Sequence, residues 1–161
     1  MTTGAERWNW LTCSMDAINL PAFDHKITKS GANYMIFDII RRKYVVLTPE
    51  EWVRQHFVHY LIFTLSYPKS LISIERGANY NRLQKRSDIC VYNQGGKPQL
   101  LVECKAPHIP ITQDVVKQVS VYNQTLQAKL VVVTNGLEHF CWQVDFETRQ
   151  FQPLQEIPAY I

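Results

Sequence analysis

The sequence predicts an α/β fold in which helices pack against a central β-sheet of mixed strand direction, with an additional β-hairpin near the N-terminus. Apolar runs typical of strands alternate with two segments of helical spacing, and Gly-Gly and Asn-Gly pairs separate neighbouring strand-like runs. The order expected after the first hairpin is α-β-β-β-α-β-β. With 161 residues, 46% of them hydrophobic, the chain suits a ragged lead-in over 1–17 and one domain over 18–161.

The first elements are a hairpin and a long helix. β-branched and aromatic runs at 36–40 and 44–47 flank a basic tripeptide and predict the hairpin. We expect the helix over 49–66, because Thr48 can cap it and Pro49 suits its first position. Its apolar residues occupy several faces, which indicates packing on more than one side.

Three strand-like runs follow the helix, at 71–75, 87–92 and 99–105. Gly95-Gly96 lies between the second and third runs. Because the tightest hairpin turns need positive φ at both central residues, this pair predicts a two-residue turn.

The C-terminal part contains a second helix and two more strands. Thr112 can cap the helix, and apolar residues at helical spacing should face the sheet: Val115, Val119, Tyr122 and Leu126. The continuous apolar run at 129–134 is typical of a buried strand. After Asn135-Gly136 the chain is expected to return as a strand over 138–146.

Composition and motif content disfavour several classes of protein. A net charge of +3 permits nucleic-acid binding without requiring it. The sequence has no G-x-x-x-x-G-K-[ST] motif of a P-loop motor, no secretory signal pattern, and no apolar run near the ~18 residues of a membrane span. The cysteines at 13, 90, 104 and 141 are widely spaced, which favours reduced thiols over a disulfide framework or a zinc site. We therefore expect a cytoplasmic protein without membrane contact.

The predicted middle hairpin brings charged residues together. A turn at Gly95-Gly96 would place Asp88 opposite Glu103 and Arg86 opposite Lys105, with all four side chains on one face. Opposed carboxylates repel unless a cation lies between them, and Mg²⁺, with Mn²⁺ as a substitute, suits hard oxygen ligands. The alternative is a solvated face with diagonal ion pairs. Apolar neighbours in L-L-V-E-C-K-A-P indicate a central strand and favour the metal site.

Several segments occur in an order that is informative as a set. They are R-S-D at 86–88, E-C-K at 103–105, a spacing of fifteen between Asp88 and Glu103, and the segments K-R-S-D-I-C-V-Y, L-V-E-C-K-A-P, Q-V-S-V-Y-N, T-P-E-E-W-V-R-Q-H-F and V-V-T-N-G. Over about 20–160 the chain thus resembles the N-terminal nuclease domain of type I restriction enzyme R subunits, in the PD-(D/E)xK nuclease superfamily. The resemblance implies a restriction-endonuclease-like core. One departure is Ser87, where the superfamily motif has proline.

The resemblance also implies roles for the hairpin residues. Asp88 and Glu103 would bind the metal together with the backbone carbonyl of Cys104. Lys105 would be the catalytic lysine, which positions or helps to deprotonate the attacking water.

Three helix residues match further parts of the family pattern. Glu51 matches the helix carboxylate that reaches the metal, often through water, although a first-turn acid can also simply stabilise its helix. Gln118 and Tyr122 match a Q-x-x-x-Y signature whose members support the lysine or the DNA backbone. Tyr122 also lies on the apolar stripe of its helix, which favours a core position for it.

A basic stretch precedes the first carboxylate. Arg76, Arg82, Lys85 and Arg86 could hold DNA phosphates, or they could form a solvated charged loop.

These features predict a Mg²⁺-dependent DNA endonuclease without a helicase motor of its own. A non-cleaving nucleic-acid-binding or assembly module on the same fold is the main alternative, and a toxin-like or RNA-directed nuclease is a third possibility. The expected partners are DNA and either a second copy of the chain or a separate motor or specificity subunit.

Overall fold

A computed structural model describes residues 18–74 and 88–161. These residues form a three-stranded sheet, a six-stranded sheet and two α-helices. The predicted α/β class, with a mixed central sheet and additional N-terminal strands, is confirmed. None of the helices in the two described ranges is long and apolar enough to cross a membrane. The lead-in predicted for 1–17 lies outside the described residues.

The N-terminal sheet is antiparallel and has the order β1-β2-β3. Its strands are β1 (Ile27–Ser30), β2 (Asn33–Asp38) and β3 (Lys43–Val46). The predicted hairpin is confirmed as β2 and β3, and β1 adds a strand that the sequence did not predict. Ile36 and Leu47 are buried here against Trp52 of the following helix.

Helix α1 (Pro49–His59) lies between the two sheets and continues as a π-helix over Tyr60–Thr64. The Glu51 backbone N–H donates to Thr48 Oγ1 at 3.1 Å, so the predicted N-cap is confirmed. Trp52 packs on the N-terminal sheet, whereas another set of apolar residues packs on the central sheet: Val53, Phe57, Val58 and Leu61. The predicted packing on more than one side is therefore correct.

The central sheet has the order β4-β5-β6-β7-β8-β9. Its strands are β4 (Ile72–Ile74), β5 (Ile89–Tyr92), β6 (Pro98–Cys104), β7 (Leu130–Thr134), β8 (His139–Asp145) and β9 (Gln150–Leu154). All neighbours are antiparallel except β6 and β7, which are parallel and joined through helix α2 (Gln113–Leu126). A crossover helix is the usual way to join parallel neighbours.

Helix α2 begins as predicted, since Thr112 Oγ1 accepts the Val115 N–H at 3.4 Å. Its apolar stripe packs against Leu101 and Val131 of the central sheet. The core residues that contact α1 and those that contact α2 alternate along β6, so the two helices cover opposite faces of the sheet.

The turn between β5 and β6 differs from the prediction, but the register beyond it does not. The loop is closed by Asn93 and Lys97, and of its two glycines only Gly96 has a positive φ, at 76°. This is the usual form of a three-residue loop, in which a type I turn precedes a left-handed residue. A register shift at Tyr92 then offsets the longer loop, and Ile89 pairs with Val102 as the predicted alignment requires.

Strand β9 was not predicted. The segment has only five residues, is mostly exposed and includes Pro153, so its strand signal in the sequence is weak. It is an edge strand, which hydrogen-bonds to a single neighbour, β8. Such a strand needs no buried apolar pattern that could be recognised in the sequence.

Candidate active site

The structure brings four predicted site residues together at one end of β5 and β6. Asp88 immediately precedes β5, while Glu103 and Cys104 end β6 and Lys105 follows. The Cys104 backbone N–H donates to Asp88 Oδ2 at 2.7 Å, and Lys105 Nζ lies 3.4 Å from Glu103 Oε1. The antiparallel register of these two strands accounts for the arrangement.

Glu103 is the electrostatically strained member of this group. Burial, and next the negative charge of Asp88, raise the pKa of Glu103 to about 7. The positive charge of Lys105 acts to lower the pKa of Glu103, but it does not cancel the rise caused by burial and Asp88. A carboxylate in this state is stabilised by any additional cation that approaches it.

Arg54 of helix α1 was not singled out from the sequence, yet it contacts the site directly. Its Nη2 lies 2.5 Å from Asp88 Oδ1 and 3.1 Å from Glu50 Oε1, and its Nη1 pairs with Glu51 Oε2. Burial would lower the pKa of this guanidinium, but Asp88 and Glu51 outweigh burial and raise the pKa. Arg54 follows Glu50 by four residues and Glu51 by three, a spacing that indicates ion pairs along a helix. No local pattern in the sequence indicates its contact with Asp88.

Glu51 is buried and held by cationic and amide groups. Its Oε1 accepts from Arg41 Nη2 at 2.5 Å and from Gln55 Nε2 at 2.9 Å, and its Oε2 pairs with Arg54. Both oxygens are thus engaged within the protein. The metal contact that the sequence suggested for Glu51 stays a prediction.

Glu50 is the other first-turn carboxylate, and sequence reasoning missed it. Its side chain is 46% exposed. Burial and the charge of Asp88 raise its pKa, while Arg54 and Lys105 act to lower it. Glu50 therefore shares the electrostatic surroundings of the site. Two adjacent acids in P-E-E do not reveal which one faces the sheet, because that depends on how the helix is rotated.

The two α2 residues occupy different environments. Gln118 is exposed, whereas Tyr122 is half-buried and packs with the core beneath the helix, as the alternative interpretation of this residue expected. Their catalytic and DNA-binding roles stay predictions. The basic residues Arg76, Arg82, Lys85 and Arg86 lie outside the described residues.

The end of β7 supports the backbone beside the site. Thr134 is fully buried, and its carbonyl accepts the Lys105 N–H at 2.8 Å. Its hydroxyl oxygen accepts the Gly136 N–H at 3.0 Å and lies 2.7 Å from His139 Nδ1. These contacts give the V-V-T-N-G segment a structural role, since they hold the backbone from which Lys105 projects.

The donor atoms fit a hard divalent cation. Within 18–74 and 88–161, no three side chains of His, Cys, Asp or Glu form a ready-made metal cluster. Two carboxylates and the Cys104 carbonyl are oxygen donors, a small set that suits Mg²⁺ because this ion retains several waters. The Cys104 thiol is buried with a pKa well above its ordinary value, so it stays protonated and does not suit a soft metal.

Comparisons with known proteins add a family match. The model of the family described as type I restriction enzyme R protein N terminus matches residues 49–158, more than half of the chain. No curated protein matches the chain. One solved structure that this chain is similar to is a fragment described as an HsdR subunit of a type I restriction enzyme from Vibrio vulnificus YJ016. It is 23% identical with a TM-score of 0.49, and the match covers 70% of this chain and 24% of that one.

Proposed function

We propose that this chain, which belongs to the type I restriction enzyme R protein N-terminal family, is a metal-dependent nuclease domain that hydrolyses phosphodiester bonds in DNA. The observation that supports the proposal is the meeting of Asp88, Glu103 and Lys105 at the adjoining ends of β5 and β6. This set follows the D…ExK order of PD-(D/E)xK nucleases.

Each residue has a role in the proposed reaction. Asp88, Glu103 and the Cys104 carbonyl would hold Mg²⁺ or Mn²⁺, and Glu50 is the first-turn carboxylate with the exposure to reach the ion through water. A bound ion would supply Lewis acidity, which would polarise the scissile phosphate and make a neighbouring water easier to deprotonate. Lys105, whose side chain is 26% exposed, orients the attacking water by donating to it and offsets negative charge on the phosphate.

The proposed partners are DNA and further subunits of a restriction enzyme. The basic stretch before Asp88 would hold the DNA backbone through contacts that do not depend on base sequence. This chain spans about a quarter of the length of the HsdR structure that it matches. A motor or specificity subunit, or a second copy of the chain, is a further partner in this proposal.

One observation favours the alternative of a binding or assembly module that does not cut. Asp88 Oδ1 already accepts from Arg54, and Oδ2 already accepts from Cys104. A carboxylate with both oxygens engaged can stabilise the fold without any metal.

A cleavage assay with a matched lysine control tests the proposal. Supercoiled, linear and single-stranded DNA are incubated with Mg²⁺ or Mn²⁺, and a parallel series contains EDTA. Lys105→Ala should lower the cleavage rate by about 100-fold or more, as expected for loss of a catalytic proton-transfer or positioning group. Lys97→Ala, at the exposed turn of the same hairpin, should cut normally. Equal rates for the two variants contradict the proposal, and EDTA-resistant DNA binding without cutting supports the alternative.

Lys105 is a cleaner position for this test than Asp88. Asp88→Ala leaves the buried Arg54 guanidinium without one of its carboxylate partners. Removing one member of a buried ion pair typically costs about 3–5 kcal/mol, so this variant can lose activity through unfolding alone.

A further inference from the structure

A chain of alternating charges runs from the N-terminal sheet to the candidate site. Arg41 Nε lies 2.7 Å from Asp38 Oδ2, and Arg41 Nη2 lies 2.5 Å from Glu51 Oε1. Glu51 pairs in turn with Arg54, whose Nη2 lies 2.5 Å from Asp88 Oδ1. The five residues come from β2, the turn after it, helix α1 and the position immediately before β5. The path therefore joins both sheets through the helix.

The first member of the path is firmly anchored. Asp38 is fully buried and accepts the backbone N–H groups of Ile40 at 2.8 Å and Arg41 at 2.7 Å. Gln55 Nε2 donates to it at 2.9 Å. Burial alone would raise the pKa of Asp38, but these hydrogen bonds and the Arg41 side chain outweigh burial and lower the pKa. Asp38 is thus a fixed anion from which Arg41 is oriented.

The last member of the path is held at both oxygens. Arg54 binds one oxygen of Asp88, and the Cys104 N–H binds the other at 2.7 Å. Two contacts of this kind fix the plane of a carboxylate as well as its position. Guanidinium groups suit such a task because their planar array of donors can bind two carboxylates in a defined geometry.

We propose that Arg54 and Arg41 are positioning residues: Arg54 orients the Asp88 carboxylate directly, and Arg41 orients Arg54 through Glu51. This inference rests on the proposed nuclease function and extends it to the N-terminal sheet. The family match begins at residue 49, so Asp38 and Arg41 lie outside the matched segment. In this proposal, the N-terminal sheet supports the site through Asp38 and Arg41.

The first test needs neither metal nor activity. Arg41→Lys and Arg54→Lys keep the positive charge and lose the planar fork of donors. In metal-free protein, both variants should change the amide proton shift of Cys104 and increase its hydrogen exchange, because that amide donates to Asp88. Arg42→Lys, at the exposed neighbouring position of the same turn, is the matched control and should leave the Cys104 amide unchanged.

The second test measures Mn²⁺ affinity by calorimetry below the unfolding temperature of each variant. Arg41→Lys and Arg54→Lys should each weaken binding about tenfold, the lower end of what losing a group that orients a metal ligand costs. The double variant should bind no more weakly than Arg54→Lys, because the two residues act in series. A merely structural role would lower the unfolding temperature and leave the affinity unchanged.

Two results would overturn the inference. One is an Arg41→Lys protein that matches Arg42→Lys in both measurements, and this comparison decides the question even if Arg54→Lys does not fold. The other is a double variant whose loss equals the product of the single losses. A wild-type protein that binds no Mn²⁺ while the Cys104 amide still responds to Arg41→Lys would instead refute the proposed nuclease function.

Discussion

The two site carboxylates have different electrostatic environments. Asp88 contacts a buried guanidinium and a backbone N–H. Glu103 is shielded from solvent beside Asp88, and its pKa is raised to about 7. Of the two carboxylates, Glu103 is therefore the one whose negative charge is disfavoured in the folded protein. This difference gives a direct prediction for the metal-free protein.

We expect Glu103→Gln to stabilise the metal-free protein at about pH 8 by about 3 kcal/mol. The pKa of Glu103 is raised from 4.5 to about 7, and each unit corresponds to about 1.4 kcal/mol. Between these values the native protein keeps a proton that the unfolded chain has released, so wild-type stability falls as the pH rises. The advantage of the variant should be complete above about pH 7 and absent below about pH 4.5.

Urea unfolding in EDTA across this pH range measures the effect. Glu138→Gln, at an exposed position, is the matched control and should show no such pH dependence. If Glu103→Gln stabilised the protein equally at every pH, burial beside Asp88 would not be the cause.

At the scale of elements, the β5–β6 hairpin and helix α1 account for the geometry of the site. The period of two along each strand and the approximate position of the turn were sufficient to predict that Asp88 and Glu103 meet. The turn type was wrong, because a Gly-Gly pair is compatible with several loop lengths. The compensating shift at Tyr92 depends on the pairing of whole strands, which a local pattern does not contain.

The turn between β7 and β8 is predicted to be the more sensitive of two glycine turns. Gly136 has a φ of 85°, and a Cβ there would lie 3.2 Å from side-chain carbons of Ile18 and Val53. Gly96 has a φ of 76° with open space around it. Alanine should cost about 1–2 kcal/mol at either position because of the left-handed backbone, and Gly136→Ala should cost about 1 kcal/mol more because its neighbours must move.

Thermal unfolding of Gly136→Ala and Gly96→Ala separates the two contributions, since Gly96→Ala reports backbone strain alone. A smaller loss of stability for Gly136→Ala than for Gly96→Ala would contradict the predicted crowding.

At the scale of the whole molecule, DNA binding should depend strongly on salt. The basic stretch lies outside the described residues, so this prediction rests on its sequence. Replacing Arg82 and Lys85 by glutamine should reduce the slope of log affinity against log salt by about 0.9 for each DNA phosphate that the variant no longer neutralises. Fluorescence anisotropy in EDTA measures binding without cleavage.

A control of equal charge uses glutamine at Arg149 and Lys129, which are exposed positions beyond the β5–β6 hairpin. This variant should keep the wild-type slope. Equal slopes for the two double variants would show that net charge, and not the basic stretch, governs binding.

The order of most elements, the caps of both helices, and the meeting of Asp88, Glu103 and Lys105 could all be predicted from the sequence. Those features depend on local spacing and on one antiparallel pair of strands. Three features depend on how the elements pack: Arg54 binds Asp88, Glu50 shares the surroundings of the site while Glu51 is tied to arginines, and Arg41 extends this network to a second sheet. Local patterns do not contain them, because the rotation of helix α1 is set by simultaneous packing on two sheets.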